Sequence, residues 1–179
     1  MRRAVAAAAA VLAAVVVGGL LWLAMAPKSG GRSAANSMAG GAAMDNPAHE
    51  RAALEQMLVK KPGHGPIVLR LSLLDLAEGK PETARKRLEA YLRDTPDDAP
   101  ALLELGRACY QAGDTECATA STSRVLELEP ENPDALYNLG AIHANSGRKD
   151  LARRYWERAV RAAPASESGR MAAAALGKL

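Results

Sequence analysis

Residues 133–166 read PDALYNLGAIHANSGRKDLARRYWERAVRAAPAS. The stretch holds two helical patterns. Leu136, Leu139 and Gly140 share one face of the first, and Ala152, Trp156, Ala159 and Val160 share one face of the second. Gly147 stands between them, where a helix end needs a residue tolerant of positive φ. Pro164 lies past the second pattern and stops it. The small residues Gly140 and Ala152 let the two helices approach closely. A single unit of this kind cannot bury its apolar face alone, so it needs neighbours to stack against.

Working outward, the same unit recurs every 34 residues. Gly79, Gly113 and Gly147 fall in one column, and Ala84, Ala118 and Ala152 in another. Pro96, Pro130 and Pro164 form a third, Leu71, Leu105 and Leu139 a fourth, and Val68, Leu102 and Leu136 a fifth. A fixed period of this length is the signature of a repeat architecture.

The columns resemble the tetratricopeptide repeat (TPR) family, whose pattern is W-x2-L-G-x2-Y, then A-x3-F, then P. In the last repeat the pattern is carried by Leu136, Leu139-Gly140, His143, Ala152, Trp156 and Pro164. In the middle repeat it is carried by Leu102, Leu105-Gly106, Cys109, Ala118, Thr122 and Pro130. The first repeat departs further, with Val68, Leu71-Ser72, Asp75, Ala84, Leu88 and Pro96. Ser72 in place of Gly implies slightly looser helix packing there. The resemblance implies an all-α fold, a TPR α-solenoid with full repeats at 65–98, 99–132 and 133–166. A half repeat at 47–62 precedes them, because Leu54, Met57 and Pro62 continue the columns of Leu88, Tyr91 and Pro96. Asn46 and Pro47 suit the start of its helix. Residues 167–179 read as a capping helix in which Met171, Ala175 and Leu176 cover the last repeat. The expected solenoid has about eight helices.

Composition agrees. The chain has 179 residues, with aromatics at 3% and no Phe, so its core is built from Leu and Ala. That disfavours a β-sandwich. Two cysteines exclude a disulfide-rich miniprotein and a four-cysteine zinc site. Met38, Met44, His49 and His64 are scattered and read as incidental, so neither a metal nor a cofactor is expected. No phosphate-binding glycine loop, H-E-x-x-H or G-x-S-x-G occurs, and the acids are expected at solvent-facing helical positions. No catalytic residue is assigned, and the chain reads as a non-enzyme.

The residues before the repeats differ in kind. Ala4 to Ala26 is a run of 23 residues with no charge. As a helix it measures about 35 Å, against a hydrocarbon core of about 30 Å. Residues 1–26 therefore read as an N-terminal transmembrane anchor, with Trp22 at its far interface. A cleaved signal peptide is the rival. Ala24-Met25-Ala26 has the shape of a cleavage site, but Pro27 follows it and the apolar run is long for a signal. Residues 27–46 are rich in Gly, Ala and Ser and read as a flexible linker. Arg2 and Arg3 favour an N-in orientation. The expected location is the inner membrane, single-pass, with the C-terminal domain periplasmic.

Cys109 and Cys117 sit symmetrically about Gly113, so an antiparallel hairpin brings them together. In an oxidising compartment they form a disulfide; otherwise they are two buried thiols. Charge is uneven. Asp97 to Asp134 holds nine acids and two bases, and Arg148 to Arg170 seven bases and three acids. Arg153, Arg154, Arg158 and Arg161 form the densest basic surface, but no stacking aromatics accompany it and nucleic acid is not expected as a partner.

In the TPR family the first helix of each repeat lines a groove that holds a peptide. The resemblance assigns that role to Leu69, Leu73 and Leu76, then to Leu103, Arg107, Tyr110 and Gln111, then to Tyr137, Asn138, Ala141 and Asn145. A carboxylate clamp is absent, because its places hold Leu69, Leu73, Glu104 and Asp134, and only Asn138 fits. The implied function is a membrane-tethered scaffold that binds a protein or peptide. Asn46-Pro47-Ala48-His49, Pro62-Gly63-His64 and Tyr155-Trp156-Glu157 resemble TPR proteins of bacterial cytochrome c maturation, which hold apocytochrome. The alternative is a structural subunit of an envelope complex (secretion, pilus or respiratory), whose membrane helix packs through Ala14 and Gly18 against other subunits.

Overall fold

Caps, prolines and glycines mark most of the helix ends among the described residues. The computed structural model describes residues 47–179, whose regular secondary structure is all α-helix. The helices are α1 (Pro47–Lys60), α2 (Gly65–Ala77), α3 (Pro81–Leu92), α4 (Ala99–Gln111), α5 (Thr115–Leu128), α6 (Pro133–Asn145), α7 (Lys149–Ala162) and α8 (Glu167–Leu176). The anchor reading of residues 1–26, the linker reading of 27–46 and the cap at Asn46 lie outside the described residues. Among the described residues, no helix is long and apolar enough to cross a membrane.

Asp98, Asp114, Asn132 and Ser166 cap α4, α5, α6 and α8, each side chain accepting from a backbone N–H of the first turn. Proline opens α2, α3, α4 and α6, where its missing N–H is no loss. At the turns, Gly79, Gly113 and Gly147 have φ of 70°, 85° and 74°. In the middle repeat Gly113 N–H donates to Tyr110 O at 3.1 Å and Asp114 N–H to Cys109 O at 2.9 Å. The same pair of bonds recurs after α2 and α6. This is the Schellman ending, and it requires a left-handed residue at the glycine.

Within a repeat the two helices meet through small residues. A Cβ on Gly140 would stand 2.4 Å from the Trp156 ring, and one on Gly106 would stand 2.5 Å from Thr122 Oγ1. Where Ser72 replaces this glycine, α2 and α3 pack more loosely than α4–α5 or α6–α7. Ser72 is buried and satisfies its hydroxyl on Val68 O at 2.9 Å.

Between repeats the packing is asymmetric. α2 approaches α4, α4 approaches α6, and α6 approaches α8. Among the described residues α3 does not approach α5, nor α5 α7. The first helices therefore converge while the second helices splay apart, which curves the stack with α2, α4 and α6 on its inner face. Leu71, Leu88, Leu136, Leu139 and Val125 fill the space between the layers and are fully buried.

Two expectations change. Met171 does not cover the last repeat; it is exposed, and α8 docks through Ser168, Gly169 and Ala172, with Ala175 and Leu176 partly buried. Asp75 is not at a solvent-facing position. It is 1% exposed and accepts from Arg51 Nη1 at 2.8 Å and Arg87 Nε at 3.1 Å. α1 buries no residue completely, and Met57 and Val59 stay exposed.

Candidate functional site

The inner face of the stack is a chain of three adjoining cavities. The first, of about 230 Å³, lies between α4 and α6 and is lined by Arg107, Tyr110, Gln111, Tyr137, Asn138 and Ala141 together with Gly106, Thr122 and Ile142. The second shares Arg107, Tyr137 and Asn138 and continues to Leu103, Glu104, Asp134, Glu167 and Met171. The third shares Leu103, Glu104 and Asp134 and reaches Leu69 and Leu73 on α2.

These side chains point inward because the helix period puts them opposite the core. Leu102, Leu105, Ala108 and Cys109 face the second helices and are buried. Leu103, Arg107 and Tyr110 lie on the other side of the same helix. Nine of the eleven groove residues expected from sequence therefore line the cavities. Asn145 lines none of them, but its Nδ2 donates to Tyr110 Oη across α4 and α6. Leu76 does not belong to the groove. It is 7% exposed and joins the core with Val68, Leu88 and Leu105, because it falls one residue past Asp75 on the buried side of α2.

The first cavity is walled by aromatic and aliphatic surface. Tyr137 stacks on Trp156 at 6.5 Å between ring centroids, and Trp156 Nε1 donates to Tyr137 O at 3.1 Å. Burial pushes the Tyr137 hydroxyl above its ordinary range, and Tyr110 adds to this. The second cavity is acidic. Arg107 donates from Nη1 to both oxygens of Glu104, at 2.9 and 3.0 Å. Burial nevertheless raises the Glu104 carboxyl, and Arg107 offsets only part of that. Asp134 accepts from the Ser168 hydroxyl, which ties α8 to the groove wall.

Sequence reasoning missed Glu104, Asp134, Glu167 and Met171 as lining residues. Two of these were legible, because Glu104 and Asp134 occupy clamp places and hold the opposite charge. Glu167 and Met171 were not, because their contribution depends on how α8 docks.

Cys109 of α4 and Cys117 of α5 stand on the core side of α4, away from the groove. Cys109 and Cys117 have Cα atoms 5.7 Å apart and their sulfurs at bonding distance. Cys109 is fully buried and precedes Tyr110 of the cavity wall.

Family models for the tetratricopeptide repeat match residues 69–120, 106–147 and 133–166. Together they run through every full repeat. The chain belongs to the tetratricopeptide repeat family. No curated protein matches it. Among solved structures, this TPR chain is similar to TTC0263, a thermophilic TPR protein of Thermus thermophilus. The identity is 23%, coverage is 74% of each chain, and the TM-score is 0.67. It is also similar to YrrB, described as a TPR protein with an unusual peptide-binding site, at 21% identity. That match covers 74% of this chain and 66% of the other, with a TM-score of 0.63. MamA from Desulfovibrio magneticus RS-1 matches at 19% identity over 70% of this chain and 71% of the other, with a TM-score of 0.61. These likenesses show the TPR fold.

Proposed function

We propose that this TPR protein is a membrane-tethered, extracytoplasmic scaffold that holds an extended segment of a protein partner along α2, α4 and α6. The observation that carries the reading is the continuous row of cavities on the inner face, walled by Tyr110 and Tyr137 and reaching Leu69 and Leu73. The tether reading rests on the uncharged run from Ala4 to Ala26 and on Arg2 and Arg3 before it. Cys109 and Cys117 at bonding distance suit an oxidising compartment such as the periplasm.

Within that reading the partner is an apocytochrome awaiting haem attachment. The support is the resemblance carried by Asn46-Pro47-Ala48-His49, Pro62-Gly63-His64 and Tyr155-Trp156-Glu157. The test is affinity capture of the full-length tagged protein in mild detergent, read by mass spectrometry, beside Leu73→Glu/Tyr137→Glu. Both side chains line the groove and are partly buried, so the helical content of the variant is checked against wild type first. Selective loss of apocytochromes or haem-ligation proteins in the variant is the expected result. Stoichiometric membrane subunits retained by the variant would instead identify a structural component of an envelope complex.

A further inference from the structure

We propose that the groove takes an extended segment presenting two features: an apolar side chain to the cavity between Tyr110 and Tyr137, and a Lys or Arg to Glu104 and Glu167. The inference rests on the groove reading above and adds the chemistry of the occupant.

Two independent features lead to it. The first is the cavity between α4 and α6. Its walls are Tyr110, Tyr137, Ala141 and Ile142, and its volume is about 230 Å³. An apolar cavity of about 150 Å³ already accepts benzene. This one therefore suits a single large apolar side chain. Gln111 and Asn138 also line it and are suited to the backbone of a passing peptide, while Arg107, the one charged residue of its lining, is held by Glu104.

The second is the charge of the adjoining space. Glu104, Asp134 and Glu167 line the middle cavity, and Glu129 enters the next one. Arg107 is the one base among these lining residues, and Glu104 already holds it. Among the described residues, Asp134, Glu167 and Glu129 form no ion pair, in contrast to Glu104. A negatively charged segment or a free C-terminus would meet repulsion at every step. A cationic side chain in the middle cavity meets three carboxylates against one base, and Glu104 among them is largely withdrawn from water, with 18% of its side chain exposed. Complementary charge then fixes the register of the segment while the apolar cavity supplies much of the affinity.

The test uses full-length protein in detergent micelles and fluorescein-labelled peptides blocked at both ends. Each peptide carries a Leu and a Lys in a Gly/Ser background, with the spacing between them varied. Matched sets carry Glu in place of Lys, or Ser in place of Leu. At a favoured spacing the Lys–Leu peptide should bind, and Lys→Glu should weaken it about tenfold or more. Added salt should weaken the Lys peptides selectively. Glu104→Gln should cost the Lys–Leu peptide about tenfold and spare a peptide bearing Leu alone. Glu167→Gln, on the exposed start of α8, keeps the test open if Glu104→Gln disturbs folding. Glu peptides binding as well as Lys peptides, with binding lost in Tyr137→Glu, would overturn the cationic occupant and leave the groove reading standing. No binding by any peptide, at any spacing, would overturn both.

Discussion

Asp75 of α2 receives Arg51 of α1 on Oδ1 at 2.8 Å, across 24 positions of chain. Its other oxygen receives Arg87 of α3 at 3.1 Å. Asp75 stands in the column that holds Cys109 and His143 in the next two repeats. The three residues have different chemistry and one shared effect. Asp75 is paired to α3, Cys109 reaches Cys117 on α5, and the His143 ring stacks on Tyr155 of α7 at 5.2 Å. Each repeat thus fastens its first helix to its second at the last turn before the glycine.

Asp75→Asn should lower stability by about 3 kcal/mol, because it removes the charge that two arginines converge on and leaves both without that counter-ion. Arg51→Ala should cost less, about 1 kcal/mol, since its loss leaves Asp75 paired to Arg87. Urea midpoints at fixed pH measure both. An Asp75→Asn protein as stable as wild type would show that shape alone, and not charge, holds this position.

Reduction of the Cys109–Cys117 pair should cost about 2.5 kcal/mol, the chain entropy of a loop of about nine residues. The measurement is denaturant unfolding with and without a thiol reductant. The double variant Cys109→Ala/Cys117→Ala should not respond to reductant. Equal stability of wild type in both conditions would mean that helix packing already holds the hairpin closed. Because Cys109 adjoins Tyr110, the reduced form should also bind groove ligands more weakly.

The repeat is legible from sequence because its demands are local and absolute. A left-handed turn requires Gly at 79, 113 and 147, and a close crossing requires a small residue at 106 and 140. The groove is legible nearly as far, since helical periodicity alone puts Leu103, Arg107 and Tyr110 opposite the core. Leu76 shows the limit of transferring a position from one repeat to another. Its helix is apolar on almost every side, so pattern does not say which leucines face inward. Asp75 shows another limit. A buried carboxylate reads as a surface one until Arg51 and Arg87 are seen converging from other helices. The acidic middle of the groove also needs tertiary structure, because Glu167 arrives on a helix that is not part of any repeat.

Gly140→Ala should destabilise by about 2 kcal/mol, because the new Cβ would stand 2.4 Å from the Trp156 ring and α6 and α7 must move apart. Trp156→Leu should cost about 3 kcal/mol by itself, losing both buried area and the hydrogen bond to Tyr137 O. The double variant should be more stable than the sum of the single losses implies, since a smaller side chain makes room for the methyl group. Additive losses in the double-mutant cycle would place the cost of Gly140→Ala somewhere other than the Trp156 contact.

His143 makes stability depend on pH. Its ring is buried against Tyr155, its Nδ1 has no hydrogen-bond partner, and burial together with Arg148 lowers its pKa. The charged form is thus disfavoured in the fold, while the unfolded chain titrates near about pH 6.5. The folded state therefore binds fewer protons than the unfolded state in this window. The contribution of His143 is complete above about pH 6.5 and is lost as pH falls toward the lowered folded value. Charging would also add a donor at Nδ1 where nothing accepts it. Urea midpoints of wild type and His143→Leu, measured across pH 5 to 8, isolate this group from the other ionisable residues. Wild type should lose stability faster than the variant on the acid side of this range. Parallel curves would mean that the ring protonates without penalty and that the Tyr155 stack opens to admit water.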